Sequence, residues 1–266
     1  MKRDTPVKLH IPQLAQPLRM YTHGEQDRFV SRRIREQGIW EPHETSLILD
    51  LLQPGDTFLD VGANIGYFSI LAAAAVGEAG HVMAYEPDPE NYRLLQANVE
   101  LNALRSRVIT TAAALSDADG EGRLYLSADN LGDHQVYAGD EERTSVPIRL
   151  VRGDDDLARA LSRLDLVKVD TQGSEFRVIS GLSLLLQKFR PRILLELTPH
   201  SLRQAGSSGR ELVEMLATVK LPMWIIDHLS GGLHATCAED LARWCDNWDT
   251  VPESQGFMNI LVGSAP

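Results

Sequence analysis

Cysteine is scarce in this sequence: Cys237 and Cys245 are the only two in 266 residues. That excludes a disulfide scaffold, and their spacing matches no zinc-binding pattern. A reduced, cytoplasmic setting is the expectation. Long apolar runs are lacking as well. The longest, "ILAAAAVG" (70–77), falls well short of the ~20 residues that cross a bilayer. The opening "MKRDTPVKLHIPQ" has no apolar centre of the kind a secretory signal carries, so no membrane association is expected. Positive charge is in deficit. Lys and Arg number 26 against 37 Asp and Glu, for a formal net charge of −11. A surface with that balance repels a phosphate backbone, which argues against nucleic acid as a partner. The one basic stretch, "RFVSRRIREQG" (28–38), is interrupted by Glu36 and reads as a solvated helix face. Internal repeats and low-complexity tracts are absent.

What is present is an alternation of strand and helix. Hydrophobic residues make up 43% of the chain, enough for a sizeable core. "TFLDV" (57–61), "HVMAYE" (81–86), "RVITTAAAL" (107–115), "DLVKVD" (165–170), "PRILLEL" (191–197), "MWIID" (223–227) and "MNILVG" (258–263) are short apolar runs predicted as strands. Helices are predicted over 66–77, 88–104, 175–189 and 209–219. Asp88 followed by Pro89 marks the start of the second. "GRLYLS" (122–127) and "VPIRLV" (146–151) alternate like an inserted antiparallel hairpin. Residues 238–248 show no clean crossover helix, so the last strand is expected to run antiparallel to its neighbours. The fold class expected is α/β, a mostly parallel sheet with helices on both faces. Residues 1–40 read as an N-terminal cap and 41–266 as one domain.

"LDVGANIGYFSI" (59–70) places a glycine-rich turn after the first of these strands. Ligands of open α/β sheets sit beyond the carboxyl ends of the strands. Gly62 permits a tight turn and Gly66 close helix packing. A nicotinamide-dinucleotide fingerprint needs glycine at 62, 64 and 67, and the chain has Gly62, Asn64 and Tyr67. Asparagine is the non-glycine residue best suited to left-handed backbone, so the turn survives at 64. Tyr67 obstructs a pyrophosphate. Glu86 ends the second strand, where a carboxylate accepts hydrogen bonds from ribose hydroxyls, each worth ~1.5–3 kcal/mol. NAD and S-adenosylmethionine (SAM) share that ribose. Asp60, read as a carboxylate at the mouth of the turn, repels a diphosphate and suits a ligand with a sulfonium and an ammonium. The residues therefore favour SAM, with a nicotinamide-dependent oxidoreductase as the rival.

The strings "DVGANIGYFSILAA", "AYEPDPENYRLLQANVELN", "AALSD", "VKVDTQGSEFRVISGL" and "ILLEL" resemble FkbM-type methyltransferases, which are class I SAM-dependent enzymes. The resemblance runs in order over roughly residues 38–263. It implies a Rossmann-like sheet of seven strands and methyl transfer to a hydroxyl of a sugar or natural-product intermediate, with N-methylation as the alternative. It also implies that Asp60, Gly62, Asn64 and Gly66 line the methionine end of SAM and that Glu86 takes the ribose. Ala114, Leu115 and Ser116 would lie along the adenine, and Glu41 of "WEPHET" near the SAM amino group.

Methyl transfer is an in-line displacement in which the protein supplies alignment and a dry pocket. A hydroxyl is a poor nucleophile, and a base contributes ~10²–10⁴-fold. Asp170 in "KVDTQGSE" is the foremost candidate, as base or as partner of the SAM amine. Glu175 starts the following helix, where the macrodipole favours an anion. His134 in "DNLGDHQVY" is an alternative base, since imidazole titrates near neutrality, and His200 a further one. Asp129, Asn130, His134, Tyr137 and Glu196 are the expected substrate contacts, four of them on a polar loop of the kind that carries binding. Asp170, Glu175 and Glu196 together would admit Mg²⁺, though nothing in the sequence requires a metal. "RWCDNWD" (243–249) is either an aromatic lid or packing. The expected partner is a small hydroxyl-bearing acceptor.

Overall fold

A computed structural model describes residues 5–138, 142–249 and 256–266. Residues 1–4 of the expected cap, 139–141 of the insert and 250–255 lie outside the described residues. The chain opens with a short antiparallel ribbon, β1 (Val7–Lys8) and β2 (Arg19–Met20), then α1 (Val30–Gln37) and α2 (Pro42–Leu51). The core alternation follows: β3 (Thr57–Val61), α3 (Tyr67–Ala75), β4 (His81–Tyr85), α4 (Pro89–Leu101) and β5 (Val108–Thr111). An insert of β6 (Ala114–Ser116), β7 (Gly120–Tyr125) and β8 (Ser145–Arg152) leads to α5 (Gly153–Leu157) and β9 (Leu166–Val169). Then come α6 (Glu175–Gly181), α7 (Ser183–Phe189), β10 (Arg192–Leu197), α8 (Pro199–Gln204) and α9 (Gly209–Ala217). The chain closes with β11 (Met223–Ile226), β12 (Leu233–Thr236), α10 (Ala238–Asp249) and β13 (Met258–Val262).

The main sheet has the order β12-β11-β13-β10-β9-β3-β4-β5. β5, β4, β3, β9 and β10 run parallel, and β13 runs antiparallel to both its neighbours, as expected of the last strand. The strand order reverses at β3, between β4 and β9, and this reversal opens the crevice in which such sheets hold ligands. Strands of the centre are buried on both faces, so they read as continuous apolar runs. Phe58, Leu166, Leu194 and Leu261 pack one way, against α2, α3, α4 and the N-terminal segment. Leu59, Val167, Leu195 and Ile260 pack the other way, against α6, α7, α9 and α10.

Four expectations need correction. Among the described residues the sheet has eight strands, because β12 pairs with the outer edge of β11. The single strand expected over 107–115 is two strands in different sheets: the chain turns at Ala113, whose N–H donates to Thr111 O at 3.0 Å, and β6 joins β8. The helix expected over 175–189 breaks at Leu182. Gly181 lies so close to β6 that a Cβ there would stand 1.9 Å from Ser116 O. Asp154 then restarts the helix by accepting from Leu184 N at 3.1 Å and Leu185 N at 3.0 Å. Finally, 238–249 is a helix of twelve residues, α10, with Leu241, Ala242 and Cys245 buried. Trp244 packs against that core and against Trp248, with centroids 5.9 Å apart, so packing rather than a lid explains Trp244.

The N-terminal segment is stitched to α4 by side-chain amides. Asn98 accepts from Tyr21 N at 2.6 Å and donates to Tyr21 O at 3.0 Å. Asn102 treats Arg19 in the same way, at 2.9 and 2.7 Å. Two asparagines one helical turn apart thus act as the edge of a neighbouring strand.

Candidate active site

The glycine-rich turn leaves β3 at Val61. Gly62 has φ 81°, and a Cβ there would lie 2.0 Å from Asp170 O, so the turn presses directly on the end of β9. Asn64 has φ 51°, the left-handed geometry expected of it. Its backbone N–H donates to Glu86 Oε2 at 2.7 Å, and Asp88 N donates to Oε1 at 2.8 Å. Glu86 therefore ties the β3–α3 turn to the β4–α4 turn. Burial pushes its carboxyl up to about 8, against the pull of those two N–H donors. Gly66, at φ 87°, serves packing: a Cβ would meet Leu95 Cδ1 at 2.6 Å.

Asp60 does not stand at the mouth of the turn. It is buried beneath the turn, accepts from Ser69 Oγ at 2.5 Å, and pairs in register with Lys168 on the adjoining strand. Burial raises its carboxyl to about 6 in spite of the Lys168 charge and the Ser69 bond. The carboxylate expected to face a ligand at that lip is thus turned onto α3.

A cavity of about 280 Å³ lies over the crevice. Ala114, Leu115 and Ser116 of β6 line it together with Leu124 and Leu150 of the insert, Leu150 standing beside Ala114 on the adjoining strand. Glu86, Asn91, Asp170 and Gln172 supply polar lining. The insert's loop supplies the roof through Leu131, His134 and Tyr137. That roof is fastened to the turn: Leu131 O accepts from Asn64 Nδ2 at 3.3 Å and from Asn91 Nδ2 at 3.0 Å. His134 Nδ1 accepts from Ser127 N at 3.1 Å, and burial holds its imidazole below the usual histidine range. Asp129 and Asn130 lie outside the cavity wall. Asp129 faces Arg28 at 3.9 Å, and Asn130 caps its own loop by accepting from Gly132 N at 3.2 Å. Tyr137 packs against Gly173, near Ser201, with its hydroxyl buried and lacking a well-formed hydrogen bond.

A second cavity, of about 120 Å³, opens on the α2 side of Asp170 and is lined by Glu41, Glu44, Lys168, Asp170, Glu196 and Asn259. Glu41 thus stands at this cavity, not at the larger one. Among the described residues that line it, Lys168 is the only cation. Its Nζ lies 2.8 Å from Asp170 Oδ2 and 4.6 Å above the Phe68 ring centroid. Burial opposes its charge, but Asp170, Glu41 and Asp60 outweigh burial and hold the ammonium above its ordinary range. Burial also opposes the charge on Asp170, and here Lys168 and the Gln172 amide win, so the carboxyl sits below its usual value. Glu196 goes the other way. Burial and the neighbouring charges of Asp170 and Glu175 push it up to about 8. Glu41 is likewise raised, by burial and by Glu44.

Glu175 does not face either cavity. Its carboxylate folds back to accept from Thr171 N at 3.0 Å, Thr171 Oγ1 at 3.0 Å and Gly173 N at 2.9 Å. It braces the 170–174 turn, which is a positioning role. The trio proposed for Mg²⁺ therefore does not converge, and no metal-binding group of His, Cys, Asp and Glu exists among the described residues. Lys168 and Gln172 were missed by the sequence reading. A signal existed for the first: a lysine inside the buried run "LVKVD", two residues before Asp170 and hence on the same face of the strand.

A doubly wound sheet with a glycine–asparagine turn after β3 and a buried carboxylate after β4 defines a nucleoside-binding α/β enzyme domain. Residues 60–220 match the family described as "Methyltransferase FkbM domain", and the chain belongs to that family of SAM-dependent methyltransferases. It is similar to the hexuronic acid methyltransferase AglP of Haloferax volcanii, 26% identical over 215 residues that cover 77% of this chain and 82% of that protein. It is also similar to the 31-O-demethyl-FK506 methyltransferase FkbM of Streptomyces tacrolimicus, 31% identical over 164 residues, or 49% of this chain and 60% of the relative. Among solved structures, a methyltransferase FkbM from Methylobacillus flagellatus aligns with a TM-score of 0.49 at 13% identity, over 80% of this chain and 45% of that one. Membership of this family displaces the oxidoreductase reading. No helix among the described residues is long and apolar enough to cross a membrane.

Proposed function

We propose that this methyltransferase acts on a hydroxyl of a small acceptor that is uncharged at its reacting end, such as a neutral sugar or a natural-product intermediate. One observation carries the reading: Asp170 lines both cavities. The larger cavity fits a cationic nucleoside. It offers an apolar slot at Ala114 and Leu150, a carboxylate at Glu86 for ribose hydroxyls, and an ionised carboxylate at Asp170 for the positive end. SAM supplies an activated methyl on its sulfonium. Asp170 then marks the border across which the acceptor, seated in the smaller cavity, meets that methyl.

The lining of the smaller cavity favours oxygen over nitrogen as the nucleophile. Four carboxyl groups surround a single ammonium there. Such a wall stabilises a protonated amine, which has no lone pair to attack with, and it repels an anionic acceptor. The formal charge of −11 supports a small molecule rather than a nucleic acid. The test is release of S-adenosylhomocysteine from SAM across a panel of neutral glycosides, hexuronates and amino sugars. Turnover on neutral glycosides is expected. Turnover confined to amino sugars, or no stabilisation of the protein by SAM in a thermal melt, would overturn the reading.

A further inference from the structure

We propose that Glu196, rather than Asp170, takes the proton from the acceptor hydroxyl, and that Gln172 is the residue that positions it. The inference rests on the O-methylation reading above. Both oxygens of Asp170 are occupied. Oδ2 is paired with Lys168 Nζ at 2.8 Å, and Oδ1 accepts from Gln172 Nε2 at 2.8 Å. A carboxylate held between an ammonium and an amide is stabilised in its charged form and is a weak base. Glu196 is held by one oxygen only. Oε2 accepts from the same Gln172 Nε2 at 3.1 Å, and Oε1 has no hydrogen-bond partner among the described residues. Glu196 lines the smaller cavity, one residue past Leu195, which pairs in register with Val169 next to Asp170. The proton acceptor and the border with the nucleoside cavity are therefore side by side.

The backbone shows how the arrangement is fixed. Gln172 has φ 53°, a left-handed geometry that costs a side chain of this kind energy. In that geometry its amide reaches both carboxylates at once. The groups around Glu196 are Lys168 of β9 and Asp170 just past it, Glu44 from α2 with Glu41 at its cap, and Asn259 from β13, with the Glu175 charge of α6 acting from behind the 170–174 turn. Three of the nearest charges are carboxylates and one is an ammonium, and the balance raises Glu196 toward the range in which a base works at neutral pH. In the step, the hydroxyl proton passes to Glu196 Oε1 and the oxygen lone pair forms the O–CH₃ bond. The S–CH₃ bond breaks with its electron pair retained on sulfur, leaving S-adenosylhomocysteine and a neutral Glu196.

The experiment uses the full chain, SAM, and a neutral glycoside that the panel identifies. In the wild type, kcat is expected to rise with pH along a limb with an apparent pKa near 8. Glu196→Gln is expected to lose that limb and ~10²–10⁴-fold in kcat while binding SAM as the wild type does. Asp170→Asn is expected to weaken SAM binding and keep a limb, moved to lower pH because a neighbouring negative charge is gone. A second arm needs no acceptor. In protein carrying [δ-¹³C]glutamate, the resonance abolished by Glu196→Gln should titrate near 8. Titration of that resonance in the ordinary glutamate range, or wild-type turnover with an intact limb in Glu196→Gln, would overturn the proposal. If the wild type methylates no neutral glycoside, the O-methylation reading fails and takes this one with it, and the wild-type assay alone tells the two failures apart.

Discussion

Asp170 and Glu196 share one amide: Gln172 Nε2 donates to Asp170 Oδ1 at 2.8 Å and to Glu196 Oε2 at 3.1 Å. Two carboxylates on neighbouring strands are thereby held apart in charge but together in space. One is kept ionised by a lysine, and the other has an oxygen to spare.

Gln172→Gly separates the amide from the backbone, because glycine accepts the φ of 53° without strain. Losing a hydrogen bond to a charged group costs ~1.5–3 kcal/mol, so kcat should fall by about 10–100-fold. The protein should stay folded, and SAM affinity should change less than kcat, because Lys168 still holds Asp170 ionised. Steady-state kinetics beside isothermal titration with SAM checks this, and a change in SAM affinity alone would contradict it.

Glu86→Ala removes the acceptor of two backbone N–H groups and the expected ribose contact. Calorimetric titration should show the SAM dissociation constant rising by roughly 10–100-fold, the equivalent of ~1.5–3 kcal/mol. The unliganded protein should also melt earlier, since Asn64 N and Asp88 N are left without their partner. An unaltered dissociation constant would remove Glu86 from the cofactor site.

Gly62 and Gly77 both have positive φ, 81° and 67°, but only the first is crowded. A Cβ at Gly62 would collide with Asp170 O at 2.0 Å, and one at Gly77 meets nothing within 4 Å. Gly77→Ala should cost only the left-handed penalty of ~1–2 kcal/mol. Gly62→Ala should exceed it, because backbone must move at the β3–α3 turn. Paired denaturant melts give the comparison, and equal losses would show that the close approach is not as described.

Stability should fall as pH rises from about 5 to 8 in the unliganded protein. Asp60 titrates at about 6 and Glu86 and Glu196 at about 8 when folded, above the ~3.9–4.3 of an unfolded chain. The folded state then holds more protons than the unfolded state, and ionisation on raising pH removes that advantage, by at most ~1.4 kcal/mol per pH unit for each group. Asp170, depressed instead, acts only in acid, where its contribution is lost as pH falls through its folded value. Saturating SAM should flatten the slope, since a cation favours the ionised carboxyls. Thermal melts across that range, with Glu86→Gln as a flattened control, check the sign.

Much of the sheet was legible because buried strands announce themselves. β3 matches its predicted span, and Asp88 caps α4 through Glu90 N and Asn91 N as its position implied. The turn geometry of Asn64 followed from the conformational habits of asparagine. The break between α6 and α7 was not legible, because it comes from Ser116 and Asp154, distant in sequence. Nor was the direction of a side chain at a strand end. Asp60 and Glu175 are carboxylates beside the crevice, yet one bonds Ser69 and the other its own turn. Sequence gives the residue and its strand, but only packing tells whether a carboxylate looks outward or props up the backbone. α10 was missed because its apolar stripe of Leu241, Ala242 and Cys245 is short and flanked by acids.

His23 touches Asn91 at 2.6 Å, and Asn91 is one of the two hands on Leu131 O. The leading strap of the chain, through Arg19, Tyr21 and His23, is therefore moored along α4 as far as the ceiling of the larger cavity. Shortening the protein from that end would do more than shed an appendage. It would take away Met20 from the core, cost Asn91, Asn98 and Asn102 one set of partners each, and slacken the roof from behind.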